Sequence, residues 1–179
     1  FTGSSFVCAL RSYEKMKAIS DEPTKFWGFD SFQGFGDIKD EDTHLFFQNS
    51  IFAVNDKKKV LNFIEKRSKK KSYEIIDGFF EDTLQGKSCL NLSSRKARIV
   101  FIDCDLKEPA MLSLEFMKEG FQEGTILILD DFYLFKGSQD KGVGGAFYWF
   151  VEKYPKIQFT HLLNYGYGSA AFIVRKIDE

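Results

Sequence analysis

Short apolar runs alternate with charged, helix-patterned stretches along this chain, and that alternation leaves few folds open. The runs occupy residues 25–29, 73–76, 97–102 and 124–129. Helix patterns separate them. One follows the turn Thr2-Gly-Ser-Ser5, with Ser4 or Ser5 as N-cap, and others cover 57–71, 81–84, 109–120 and 142–154. In 57–71, Val60, Leu61, Phe63 and Ile64 form the apolar side and the lysines a solvated face. In 109–120, Pro109 stands near the start and Gly120 past the end. Strands alternating with helices predict an α/β fold with a mostly parallel sheet. The run 97–102 is apolar throughout, which predicts a strand covered on both faces. The runs 159–163 and 169–174, joined through Asn164-Tyr-Gly-Tyr-Gly168, predict a C-terminal antiparallel hairpin. Residues 39–49 read as a surface loop. With no repeat or linker, residues 1–179 read as a single domain.

Composition narrows the function classes. The chain carries 25 Lys+Arg against 26 Asp+Glu, without the basic surplus of a nucleic-acid binder. No apolar run approaches the roughly 18–20 residues of a membrane span. Cys8, Cys89 and Cys104 are too few and too irregularly spaced for a disulfide framework or a zinc site. Reduced thiols, with no signal peptide in view, predict a cytoplasmic protein.

The chemistry is signalled by where the acids fall. Three apolar runs end in a carboxylate: Phe29 into Asp30, Ile102 into Asp103, Leu129 into Asp130. Ligands of open α/β sheets bind at the carboxyl ends of the strands. A lone Asp after a strand has an ordinary explanation as a turn residue. Asp103, Asp130 and Asp131 together, with Asp105 nearby, point to carboxylates that repel one another unless protonated or bridged by a cation, for which Mg²⁺ is the natural partner. Asp30, after an early strand, is placed to accept hydrogen bonds from ribose hydroxyls. A glycine in Thr2-Gly-Ser-Ser5 lets backbone approach a ligand. His44 lies in the 39–49 loop and is a candidate acceptor contact or auxiliary base. His161, inside an apolar strand, reads as structural, Trp27 and Trp149 as core, and Tyr165 and Tyr167 as loop packing.

These residues fall in a recognisable order. Phe29-Asp-Ser-Phe-Gln-Gly34, Gly78-Phe-Phe-Glu-Asp-Thr-Leu84, Ile102-Asp-Cys-Asp-Leu-Lys-Glu-Pro109 and Ile128-Leu-Asp-Asp-Phe132 succeed one another. Gly142-Val-Gly-Gly-Ala-Phe147 and Gly168-Ser-Ala-Ala-Phe172 follow. Together they resemble the macrocin O-methyltransferase family of S-adenosylmethionine-dependent enzymes over nearly the whole chain. The resemblance implies a Rossmann-like seven-stranded sheet and Mg²⁺-assisted methyl transfer to a sugar hydroxyl. It makes Asp103, Asp130 and Asp131 metal ligands, and Asp103 also the general base. It places Asp30 at the cofactor ribose, Gly3 and Ser5 along its methionine part, and Gly78 and Phe79 at its adenine, with Ser31 also cofactor-binding. Two departures stand out. Lys107 occupies a position where the family usually has Tyr. The family's first strand is expected before Phe1, so the resemblance implies an N-terminally incomplete chain.

A sugar hydroxyl loses its proton more readily beside Mg²⁺, a carboxylate takes that proton, and positioning of the sulfonium methyl supplies much of the rate. The expected partner is a small-molecule sugar or nucleotide-sugar acceptor, with self-association left open. Two other readings compete. An Asp-x-Asp phosphatase or glycosyltransferase needs the Asp103–Asp105 pair but not Asp130 and Asp131. A cofactor-binding fold without activity needs neither. Titration with S-adenosylmethionine, with and without Mg²⁺, separates the three.

Overall fold

The computed structural model describes residues 2–16, 23–45, 47, 52–68 and 72–178. The chain divides into two compact units, Phe1–Gly36 with Gln48–Phe79, and Asp37–Phe47 with Phe80–Glu179. Residues 17–22 and 69–71, at the ends of two expected helices, lie outside the described residues, as does part of the 39–49 loop.

In the first unit, α1 (Ser4–Met16) and α2 (Lys57–Ser68) accompany the parallel pair β1 (Phe26–Asp30) and β2 (Tyr73–Asp77). The apolar sides of both helices meet: Val7, Leu10 and Ile64 are buried, with Phe6, Val60, Phe63 and Ile75 against them. The β1–β2 register sets Asp30 beside Asp77 at the carboxyl ends of both strands. α1 opens at Ser4, and the Thr2 hydroxyl, rather than Ser4 or Ser5, accepts the Ser4 N–H at 3.4 Å.

The second unit holds α3 (Phe80–Thr83), β3 (Ile99–Ile102), α4 (Lys107–Met117), β4 (Ile126–Leu129), α5 (Gly142–Lys153), β5 (Ile157–Tyr165) and β6 (Ser169–Ile177). Its sheet has the order β3-β4-β6-β5, with β3 and β4 parallel and β6 antiparallel to both β4 and β5. The expected hairpin is therefore present. α4 and α5 pack on each other. Leu114, Leu127, Leu129, Val143, Phe150 and Val174 form the fully buried core. Phe147 stacks on Phe172 with ring centres 4.3 Å apart, which joins α5 to the sheet.

Three local expectations change. β3 is not buried on both faces: Ile99 is 66% and Phe101 44% exposed, while Val100 and Ile102 are buried. β3 has one strand neighbour in this sheet, β4. α4 begins two residues before Pro109, whose missing N–H falls in the first turn and breaks no helical bond. The 39–49 stretch is not wholly a surface loop, because Asp40–Asp42 forms a 3₁₀ turn and Asp42 is buried. Among the described residues, no helix is long and apolar enough to cross a membrane.

Candidate active site

β3 and β4 run parallel in register, Ile102 beside Leu129, so the residues after them leave the same edge of the sheet. Those residues are Asp103-Cys-Asp105 and Asp130-Asp131. A continuing strand would send neighbouring side chains to opposite faces. The chain instead turns at Asp130, and Asp131 adopts φ +53°. Asp105 does the same at φ +60°. These left-handed residues redirect both loops. One ligand oxygen from each of Asp103, Asp105 and Asp131 then lies within 4.8 Å of the others.

Asp130 stands beside this trio with its own partners. Its Oδ1 accepts hydrogen bonds from the Ser169 hydroxyl and, at 3.2 Å, from the Tyr165 hydroxyl. Both donors flank the turn of the terminal hairpin, so Tyr165 does more than pack in a loop. The turn is anchored again by the Tyr133 N–H, which donates to the Gly168 carbonyl at 2.7 Å.

Crowding of like charge shows in the proton affinities. Loss of water, then the charge of Asp130 and a hydrogen bond with it, push Asp103 up to about 6. Burial and a hydrogen bond to Asp131 push Asp105 up to about 8. Asp131 is raised by burial and by Asp130, against a hydrogen bond from Asp105 that lowers it. Burial and the Asp130 charge raise Tyr165 to about 12. A cluster of carboxylates that resists full ionisation is the donor set a hard divalent cation relieves. Asp103 is the most exposed of the trio.

His44 belongs to the same unit. Its ring packs edge-on to Phe135 at 5.5 Å and against Phe47 at 5.2 Å. Lys107 is half-buried at the start of α4. His161 is exposed on β5, where its Nε2 meets the Asn164 Oδ1 at 2.6 Å.

The residues expected at the cofactor fall in the other unit. The Gly78 N–H donates to the Asp30 carbonyl at 3.1 Å, which joins the ends of β1 and β2. The Asp30 Oδ1 accepts the Phe32 N–H at 2.6 Å, and burial raises its pKa against that bond. The Ser31 hydroxyl accepts from the Gln33 N–H at 3.1 Å and donates to the Gly34 carbonyl at 3.2 Å, so it shapes the turn. Gly3, at φ +80°, leads into α1 ahead of Ser5, and a Cβ there would lie 3.0 Å from Ile64. Phe79 packs over the turn at Gly36. A carboxylate at a strand end, with glycine-bearing turns beside it, suits a ribose and a closely approaching chain.

One residue escaped sequence reasoning. Asp42 is a buried acid in a polar, aromatic-rich stretch, and nothing in one sequence separates it from its neighbours Asp40 and Glu41.

Residues 4–142 match the family described as macrocin O-methyltransferase (TylF). No curated protein matches the sequence. Similar solved structures include CalS11, a calicheamicin methyltransferase, with TM-score 0.60 and 16% identity over 94% of this chain and 78% of that one. The O-methyltransferase NovP aligns with TM-score 0.65 and 19% identity over 90% of this chain, which spans 64% of the NovP chain. An O-methyltransferase from Bacillus cereus, in complex with SAH, aligns with TM-score 0.54 and 15% identity over 97% of this chain and 81% of that one. At these identities the likeness concerns the fold.

Proposed function

The chain belongs to the macrocin O-methyltransferase family, and from that premise we propose that it transfers the methyl group of S-adenosylmethionine to a sugar hydroxyl with the help of Mg²⁺. The observation that carries this reading is the meeting of Asp103, Asp105 and Asp131 at one edge of the β3–β4 pair, with Asp130 beside them. CalS11, by its description, is a calicheamicin methyltransferase, which supports a natural-product sugar as the acceptor class, with a nucleotide-activated sugar as the other candidate.

Asp103, Asp130 and Asp131 would hold the cation, and Asp105 adds a fourth carboxylate that the fold brings to Asp131. Ser169 and Tyr165 fix one oxygen of Asp130, which leaves its other oxygen for the cluster. Gly3, Ser5, Asp30, Ser31, Gly78 and Phe79 would hold the cofactor, with Asp30 on the ribose. The chemistry supplied there is a sulfonium methyl together with cation stabilisation of a hydroxyl's conjugate base. Asp103 takes the acceptor's proton, since it is the most exposed carboxylate of the trio and an acceptor arrives from solvent. Asp105 is the second candidate for that step, favoured by its place against Asp131. His44, held between Phe47 and Phe135, contacts the acceptor or assists as a base.

Calorimetric titration with S-adenosylmethionine, followed by transfer of labelled methyl to a panel of sugars with and without Mg²⁺, tests the reading. Binding and Mg²⁺-dependent transfer are expected. No cofactor binding favours the phosphatase or glycosyltransferase reading, and binding without turnover an inactive fold.

A further inference from the structure

Asp42 has no part in the chemistry above, yet its side chain is only 2% exposed. It closes the 3₁₀ turn Asp40–Asp42. Its Oδ2 accepts the Lys107 N–H at 2.7 Å, and its Oδ1 accepts the Gly142 N–H at 3.1 Å. Lys107 and Gly142 are the first residues of α4 and α5. Helix N-termini carry N–H groups without partners in their own helix and favour a nearby anion. The residues at the cap positions, Leu106 and Lys141, supply no side-chain hydrogen bond. One carboxylate therefore serves both helix starts.

What precedes each helix start gives this bond its meaning. Asp103 and Asp105 lie just ahead of α4, and the loop opened by Asp130 and Asp131 runs directly into α5. The stretch that carries Asp42 is also tied to α4 by the Lys39–Glu108 ion pair at 2.5 Å. Two residues beyond Asp42, His44 packs on Phe135, which belongs to that same loop.

We propose that Asp42 is a positioning residue for methyl transfer: by binding the first turns of α4 and α5 with one carboxylate, it holds the two acid-bearing loops at a fixed separation and seats His44 against Phe135. The inference rests on the acid cluster being the acceptor and Mg²⁺ site. A backbone N–H cannot be moved by substitution, so the distance between the two helix starts follows the group that bridges them. Asparagine at this position has one carbonyl oxygen for two N–H groups, and its amide would face the second donor with another donor.

The test compares Asp42→Asn with Thr125→Val in the full-length protein. Thr125 is fully buried, and its hydroxyl donates to the Ala97 carbonyl at 2.7 Å and accepts the Gln122 N–H at 3.1 Å. It precedes β4, at the end of the strand opposite Asp130, so its loss reports destabilisation alone. In Asp42→Asn, the acceptor KM and the Mg²⁺ concentration for half-activation should each rise about tenfold or more, the scale of one lost charge-assisted hydrogen bond. S-adenosylmethionine affinity should stay within about twofold, and Thr125→Val should leave all three constants near wild type while lowering the melting temperature. Wild-type constants in Asp42→Asn overturn the inference.

Should Asp42→Asn fail to fold, Lys107→Pro compared with Lys107→Ala decides instead. Proline at the first helical position removes only the N–H that Asp42 accepts, and Leu106, at φ −98° and ψ 152°, already has the extended conformation that precedes proline. Raised constants in Lys107→Pro relative to Lys107→Ala support the inference, and equal constants overturn it. A wild-type protein that transfers no methyl group removes the proposed function and this inference with it. Wild-type turnover with unchanged constants in the variants removes only the inference.

Discussion

Asp105 and Asp131 meet from the ends of two parallel strands, and both stand in the left-handed region, at φ +60° and +53°. Their carboxyl groups are hydrogen-bonded to each other, which raises the proton affinity of Asp105. A left-handed non-glycine residue costs about 1–2 kcal/mol, though Asp tolerates it better than most. The fold thus spends conformational energy to bring like charges together, which has a measurable consequence in pH.

Asp103 and Asp105 have folded pKa values of about 6 and about 8, above the usual aspartate value of roughly 3.9 in an unfolded chain. For such groups the folded state binds more protons than the unfolded one. The stabilisation from that excess is fully present below the unfolded value and is lost as pH rises through the folded values. The melting temperature of the metal-free protein should therefore fall as pH rises from about 4, the unfolded value, to about 8, most steeply below about 6 where both groups contribute. Mg²⁺ should raise it more at the alkaline end, where the carboxylates are ionised. Thermal melts at several pH values, with EDTA or Mg²⁺, check this. A flat profile without metal would show that the carboxylates do not repel as described.

Asp103→Asn should leave S-adenosylmethionine affinity within a few-fold and reduce turnover by about 10²–10⁴, the value of one positioned proton acceptor. Single-turnover transfer of labelled methyl measures this. Retention of more than about a third of wild-type turnover would move the proton step to Asp105 or His44.

Asp30→Asn keeps an oxygen to accept the Phe32 N–H, so the turn after β1 survives while the charge is lost. Cofactor affinity should weaken by about 1.5–3 kcal/mol, the worth of a charge-assisted hydrogen bond, and the acceptor KM should hold. Calorimetry that finds no change would leave Asp30 as a turn residue.

EDTA should stop methyl transfer and Mg²⁺ should restore it. Asp130→Ala and Asp131→Ala should each raise the Mg²⁺ requirement while sparing cofactor binding. Ser169→Ala should do so more weakly, because it removes one of the hydroxyls that orient Asp130. Full activity in EDTA would reduce the cluster to turn residues and leave the cofactor half of the proposed function standing.

Gly142→Ala tests the start of α5. Gly142 has φ +59°, and a Cβ there would sit 2.4 Å from the Phe135 ring. The left-handed backbone alone costs about 1–2 kcal/mol, and displacing the ring adds to it. A clear drop in melting temperature is expected, and an unchanged one would contradict the geometry of this helix start.

Much of this molecule was determined by its sequence alone. The apolar runs and helix patterns specify the α/β class, because a strand or helix must hide the apolar side chains it carries. The parallel pairing of β3 with β4 and the terminal hairpin follow from the same pattern. The strand-ending aspartates are legible because ligands gather at the carboxyl ends of strands. Tertiary structure decided what no local pattern encodes. The left-handed turns at Asp105 and Asp131 bring Asp105 into the cluster, while Ser169 and Tyr165 hold an oxygen of Asp130 from across the sheet. Ile99 and Phe101 stand exposed in a run that reads as fully covered, because burial depends on what packs against a strand and not on its composition. Asp42 reads as loop polarity, yet the packing of α4 against α5 places two helix N-termini around it. A carboxylate's partners lie where the chain returns in space, a hundred residues away for Gly142, and only the folded chain brings them within hydrogen-bond reach.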